Sequence, residues 1–189
     1  YQFMMCSCRD NALYWFDRAI QESRGVDPEM GRRIRQQKLR LMQLLGKAEE
    51  SVEQQKQELA ECPEQADSWV LLVVADMYAQ RYEEAYELVQ QAMERFPEEW
   101  ELTIHACNIA RHLEKYPEAI RYADRAIAMR PAYVDGMYEK AWCYEKMEKH
   151  REAGRLYLEI AEILKRDGFE VEAETELRNA RRLMERVEA

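Results

Sequence analysis

An all-α fold of stacked helix pairs is predicted by three observations on this 189-residue chain. Ala, Glu, Leu, Arg, Gln and Met dominate the composition, and six Gly and five Pro leave little material for the turns of a β protein. The stretch "YEEAYELVQQAMERFP", Tyr82 to Pro97, returns 34 residues on as "YPEAIRYADRAIAMRP", Tyr116 to Pro131. Within each such unit, apolar residues recur at helical spacing on both sides of a short polar interruption. Hydrophobic residues make up 47% of the chain, enough for a sizeable core.

The best-formed unit begins after Pro63. Trp69, Leu72, Val73 and Met77 come first at helical spacing; "AQRY" interrupts; Ala85, Leu88, Val89, Ala92 and Phe96 then resume the period up to Pro97. This predicts helix, turn, helix. Ala85, Ala119 and Ala153 share the 34-residue period, as do Tyr82, Tyr116 and His150, and Pro63, Pro97 and Pro131. Ala85 and Ala92 lie two turns apart on one face, where small side chains let helix backbones approach closely. Each Pro ends a second helix, because it cannot donate the next backbone hydrogen bond. A period in this range signals supersecondary units that bury their apolar faces only against neighbours.

These residues resemble the tetratricopeptide repeat family, whose pattern runs W-x2-L-G-x2-Y, G-x-Y-x-E-A, F-x2-A and P. Residues 66–99 match it through Trp69, Leu72, Tyr82, Glu84, Ala85, Val89, Ala92 and Pro97. Residues 100–133 keep Tyr116, Glu118, Ala119, Ala126 and Pro131, with Thr103 at the Trp position. Residues 134–167 keep Glu152, Ala153 and Tyr157, with Met137 at the Trp position and no terminal Pro. Val73, Cys107 and Ala141 fill the first Gly position, and Gln80, Glu114 and Glu148 the second, so ordinary turns are expected rather than Gly-specified ones. The resemblance implies a right-handed α-solenoid of antiparallel helix pairs, about ten helices in all.

The flanks extend the pattern. "LGKAEESVEQQKQELAECP" holds Gly46 at a turn, Ser51 in place of Ala and Pro63 in register, a degenerate repeat over residues 32–65. Residues 1–31 read as a partial N-terminal repeat, "DNALYWFDRAI" with Ala12, Phe16 and Ala19, joined through a turn-rich linker "SRGVDPEMG". Residues 168–189 read as a capping helix with an apolar stripe of Ala173, Leu177, Ala180, Met184 and Val187. The chain opens at Tyr1 without an initiator Met or a signal-peptide pattern and is expected to be the C-terminal part of a larger protein.

Charge and cysteine usage exclude several function classes. Residues 48–100 carry three Lys/Arg against fourteen Asp/Glu, whereas nucleic-acid binding draws on clustered cations. No apolar run reaches the roughly 18 residues that span a bilayer. The odd count of five Cys, with Cys62, Cys107 and Cys143 inside helical patterns, points to a reducing, cytoplasmic setting. Cys6 and Cys8 form a lone C-x-C at a helix end, without the second ligand pair that a metal needs. His105 and His112 stand two helical turns apart, roughly 10 Å, too far to share one ion. No Gly-rich phosphate loop, nucleophile elbow or H-E-x-x-H is present, so no enzyme, cofactor or metal centre is expected.

What the family resemblance implies is a protein-interaction scaffold or adaptor that holds a peptide or partner domain on the concave face lined by first helices. Carried over position by position, that face takes Val70, Val74 and Met77 from one repeat, Ile104, His105 and Asn108 from the next, and Tyr138 and Trp142 from the third. Val70, Val74, Ile104, Tyr138 and Trp142 make an apolar strip, with two aromatics of the kind that anchor interfaces. Members that bind chaperone tails clamp a terminal carboxylate with Lys, Arg and Asn; here only Asn108 matches, and Val70, Glu101 and Glu139 stand at the Lys-type positions, which disfavours that ligand. Arg33, Gln36, Gln37 and Arg40 share a face of the degenerate repeat, either a guanidinium site for carboxylate or phosphate or a solvated surface. A structural role, with a second copy on the strip or the array acting as a spacer, is the alternative.

Overall fold

The computed structural model describes residues 2–23 and 28–188, with side chains over residues 11–23 and 29–187. The side chains of Cys6 and Cys8 lie outside the described residues. Ten helices and no strand are present among the described residues: α1 Gln2–Ser23, α2 Pro28–Leu44, α3 Ala48–Glu61, α4 Ala66–Tyr78, α5 Tyr82–Arg95, α6 Trp100–His112, α7 Tyr116–Met129, α8 Asp135–Lys146, α9 His150–Arg166 and α10 Glu170–Glu188. None is long and apolar enough to cross a membrane. The chain divides within α5 into two compact units, Tyr1–Ala92 and Met93–Ala189.

The turns inside the helix pairs overturn the expectation of ordinary geometry. Gln80, Glu114 and Glu148 all take the left-handed conformation, with φ of 60°, 58° and 58°, as does Gly46 with φ 72°. The hydrogen bonds explain why. Arg81 N donates to Asp76 O and Gln80 N to Met77 O, the double closure that satisfies the last carbonyls of a helix when the residue past its end is left-handed. Lys47 and Gly46, Lys115 and Glu114, and Lys149 and Glu148 repeat the pattern on Met42 and Gln43, Ala110 and Arg111, and Tyr144 and Glu145. Three side-chain-bearing residues thus hold a conformation that glycine adopts freely.

The connections between pairs are different. Gln65 N donates to Cys62 O, Glu99 N to Phe96 O and Tyr133 N to Arg130 O, closing three turns with Pro63, Pro97 and Pro131 at their second positions. The Trp69 indole donates to Pro63 O at 2.9 Å and ties α4 to the turn before it. Where no Pro intervenes, α9 continues to Arg166 and stops at Gly168, φ 87°. Pro28 likewise starts α2, so Pro28–Gly31, expected within a linker, form helix: Pro suits a first turn, whose N–H groups lack intrahelical partners.

In the first unit α4 is buried on nearly all sides, Ser68 and Val70–Asp76 included. In the second unit α9 packs between α8 and α10 around Met137, Ala141, Ala153, Tyr157, Ile160, Ala180 and Leu183. Leu183, outside the expected stripe of the cap, is fully buried, and Val187, inside it, is exposed. Cys107 Sγ donates to Ala119 O at 3.1 Å, which shows how closely Ala119 brings α7 to α6.

Stability measurements test the turns and the buried acid beside one of them. Gln80→Gly, Glu114→Gly and Glu148→Gly should each stabilise the chain by about 0.5–1 kcal/mol, the left-handed penalty less glycine's entropic cost, and Gly46→Ala should destabilise it by about 1 kcal/mol; urea midpoints test both. Asp76, buried and 3.4 Å from Arg81 Nε, has its pKa raised by burial, with Arg81 and Lys56 opposing and Glu84 and Glu49 reinforcing. Because the native chain then holds this proton more tightly than the unfolded chain, the stabilisation is complete below the ordinary carboxylate range and is lost as pH rises through the raised value. Asp76→Asn should therefore gain stability relative to the parent as pH rises from the ordinary carboxylate range toward neutrality. A constant difference across that range would contradict the assignment.

Candidate functional site

In the second unit, α6, α8 and α10 are joined side by side by polar side chains. Asn108 Nδ2 and Arg111 Nε, from one turn of α6, each donate at 2.8 Å to Glu139 of α8, one to each carboxylate oxygen. The Tyr138 hydroxyl donates to Glu176 of α10 at 2.9 Å, and Asn179 Nδ2 donates to the other oxygen of Glu176 at 2.9 Å. Glu145 takes a proton donor on each oxygen, the Tyr157 hydroxyl at 2.7 Å and Arg182 at 3.4 Å. The helical spacing makes this possible: residues three or four apart share a face, so one turn of each helix supplies partners for the next.

Glu139 is 7% exposed, so these bonds supply partners that its carboxylate has little solvent to provide. Arg111 serves a second neighbour, its guanidinium carbon lying 5.1 Å from the centre of the Trp142 ring. Trp142 is 42% exposed, and its ring lies 6.3 Å from that of Tyr138. Burial and then the Glu176 bond raise the pKa of Tyr138, while burial and then Glu145 do so for Tyr157, so both remain donors. Burial, reinforced by Glu139, raises the Cys107 thiol and pushes Cys143 up to about 11, which leaves neither poised as a nucleophile. Among the described residues, no three His, Cys, Asp or Glu side chains gather to hold a metal.

No protein-family model matches this chain, and no curated protein does. Solved structures do. TTC0263, described as a thermophilic TPR protein of Thermus thermophilus, superposes with a TM-score of 0.70 over 95% of this chain and 93% of that one, at 20% identity. The fold is that of the tetratricopeptide repeat. A MamA structure gives a TM-score of 0.55 at 19% identity over 77% of this chain and 93% of its own. MamA from residue 41 onward, from Desulfovibrio magneticus RS-1, gives 0.55 at 11% identity over 84% and 97%. At these identities the likeness is one of fold.

Within this tetratricopeptide-type array, the second unit brings Asn108, Tyr138 and Trp142 together, with Ile104 and His105 half-buried on α6. Val70 and Val74 are 0% and 4% exposed, so the expected apolar strip is corrected there: α4 buries both valines, and neither offers surface. Met77 is half-buried on the same helix. Arg33 is exposed and paired with Glu29 one turn away at 2.7 Å, and Arg40 is exposed on the same helix. Asn108, the retained clamp residue, already holds a carboxylate of the chain itself. Arg111 and Glu139 fall at inner positions of the first helices but are not among the expected partner-binding residues; the signal for their pairing is a Glu at an inner position opposite an Arg and an Asn of the preceding repeat. Glu139→Ala should destabilise the chain by about 3–5 kcal/mol, since it strands Arg111 without its buried partner. An unchanged denaturation midpoint would exclude that role.

Proposed function

We propose that the chain is a protein-interaction module that holds a peptide or partner domain on the face shared by α6, α8 and α10, with Trp142 as the anchor. The observation that carries this reading is the setting of Trp142. It is a large aromatic left substantially exposed between buried Ala141 and Cys143, and Arg111 holds one side of its ring, with Arg111 itself fixed by Glu139. A side chain already restrained loses little freedom on binding, which favours affinity. Tyr138, Ile104 and His105 extend the face, while Asn108 and Glu139 support it from below. Because the local carboxylate-binding groups are occupied, the partner is recognised by apolar and aromatic contact with a polar rim and not by a terminal carboxylate.

The test separates binding from folding. Trp142→Ala should weaken capture of the partner by about 2 kcal/mol or more, with an unchanged circular-dichroism melt. Arg121→Ala, an exposed position on α7, serves as the control and should leave capture unchanged. Partners recovered by affinity capture with the parent would be identified, purified and titrated against both variants. Equal affinity for the folded Trp142→Ala variant would remove this face from consideration. Loss of a dimer in the same variant, seen by analytical ultracentrifugation, would make a second copy the occupant.

A further inference from the structure

A second arginine of the second unit stacks on aromatic rings, at the far end of α6 from Arg111. Arg130, immediately past α7, places its guanidinium carbon 4.5 Å from the centre of the Trp100 ring, at the start of α6, and 5.2 Å from that of Tyr133. The two rings lie 5.2 Å apart, inclined at 50°. The backbone holds the group together. Arg130 N donates to Ala126 O at 2.9 Å, and Tyr133 N donates to Arg130 O at 3.0 Å across Pro131. Arg125 donates to Pro97 O at 2.7 Å, which ties α7 to the turn before Trp100.

Two other arginines that stack on tryptophan in this chain also hold a carboxylate. Arg111 lies over Trp142 and donates to Glu139; Arg18 lies over Trp15 and donates to Glu22 at 2.9 Å. Arg130, on two rings, makes no side-chain hydrogen bond or ion pair among the described residues. Stacking covers the faces of a guanidinium and leaves its in-plane N–H groups outward, the fork that a carboxylate meets with two parallel hydrogen bonds. Arg130 is half-buried, so these donors have lost part of their water. Beside it Pro131, Ala132 and Tyr133 are consecutive exposed apolar residues, Tyr133 by 39%. This ledge suits an aliphatic side chain next to the carboxylate.

We infer that Arg130, backed by Trp100 and Tyr133, binds the side-chain carboxylate of an aspartate or glutamate on a partner peptide, whose neighbouring aliphatic residue rests on Pro131, Ala132 and Tyr133. A carboxylate fits better than a phosphate. The chain's own partners of stacked arginines, Glu139 and Glu22, are carboxylates, whereas phosphate recognition draws on clusters of arginine. Glu98, Glu99 and Glu101 flank Trp100 in the sequence, and their like charge counts more heavily against a dianion than against a single carboxylate. Trp100 and Arg111 stand eleven residues apart, about 16 Å along α6, so this site is distinct from the Trp142 face.

The experiment titrates the full, isotope-labelled chain with a short peptide alternating leucine with glutamate, capped at both ends, and with its glutamine counterpart. The tryptophan indole and arginine Nε–H resonances report binding. The glutamate peptide should shift the Trp100 and Arg130 signals saturably, and the glutamine peptide should not. Arg130→Lys keeps the charge but loses the fork and should weaken binding by about tenfold or more, whereas Arg121→Lys, at an exposed position on α7, should alter it by less than about twofold. Equal affinity in Arg130→Lys would show diffuse attraction and overturn the site. Inorganic phosphate displacing the peptide at equal concentration would assign the site to phosphate and overturn the carboxylate reading. If Arg130→Lys fails to fold, Tyr133→Ala, at an exposed position, decides: a loss of about threefold or more is expected, and unchanged affinity would overturn the site. Trp142→Ala should leave this binding unchanged, so the two sites succeed or fail independently; a loss there would move the peptide to the Trp142 face and overturn the Arg130 site.

Discussion

The helix pairs of this chain turn on one backbone conformation, a left-handed residue immediately past each first helix. At Gly46, Gln80, Glu114 and Glu148 it folds the chain back while the two following N–H groups close onto the last turn. This closure sets the register between first and second helix, and with it which side chains of the first helix face the next pair. Ala85, Ala119 and Ala153, all fully buried, then occupy the same point of each second helix. Moving the turn by one residue would rotate the following helix by roughly 100° and carry those alanines out of contact.

Once the register is set, apolar burial and ion pairing share the work unequally. The second unit closes its last pairs with a continuous apolar core that includes Ile160, Ala180 and Leu183. The degenerate repeat instead joins α2, α3 and α4 through Arg32, Arg35, Glu58 and Asp67. Partly exposed ion pairs stabilise less per contact than apolar packing and tolerate distance between backbones, so a groove persists where the other pairs shut.

A different polar network underlies the face proposed for recognition. Around Trp142, a buried carboxylate fixes an arginine, which in turn restrains an exposed ring, so the surface a partner would meet is supported from beneath. Preorganisation of this kind comes from fully satisfied polar networks, in which removing one member strands the others.

Much of the fold was legible from the sequence because its causes are local and periodic. The spacing of Ala85, Ala119 and Ala153 and of the three prolines depends only on chain order, and it marks the helix pairs directly. The turn conformation was not legible, because Gln and Glu carry no preference for positive φ; the paired helices and their closing hydrogen bonds impose it. The proposed interaction face was legible in part. Trp142, Tyr138 and Asn108 follow from register, but whether an apolar residue on a first helix meets solvent depends on what covers it, and sequence separates Val70 from Trp142 no better than by type. The pairing of Glu139 with Asn108 and Arg111, and the gap spanned by Arg35, join residues 23 to 32 positions apart, and only packing in three dimensions decides such meetings.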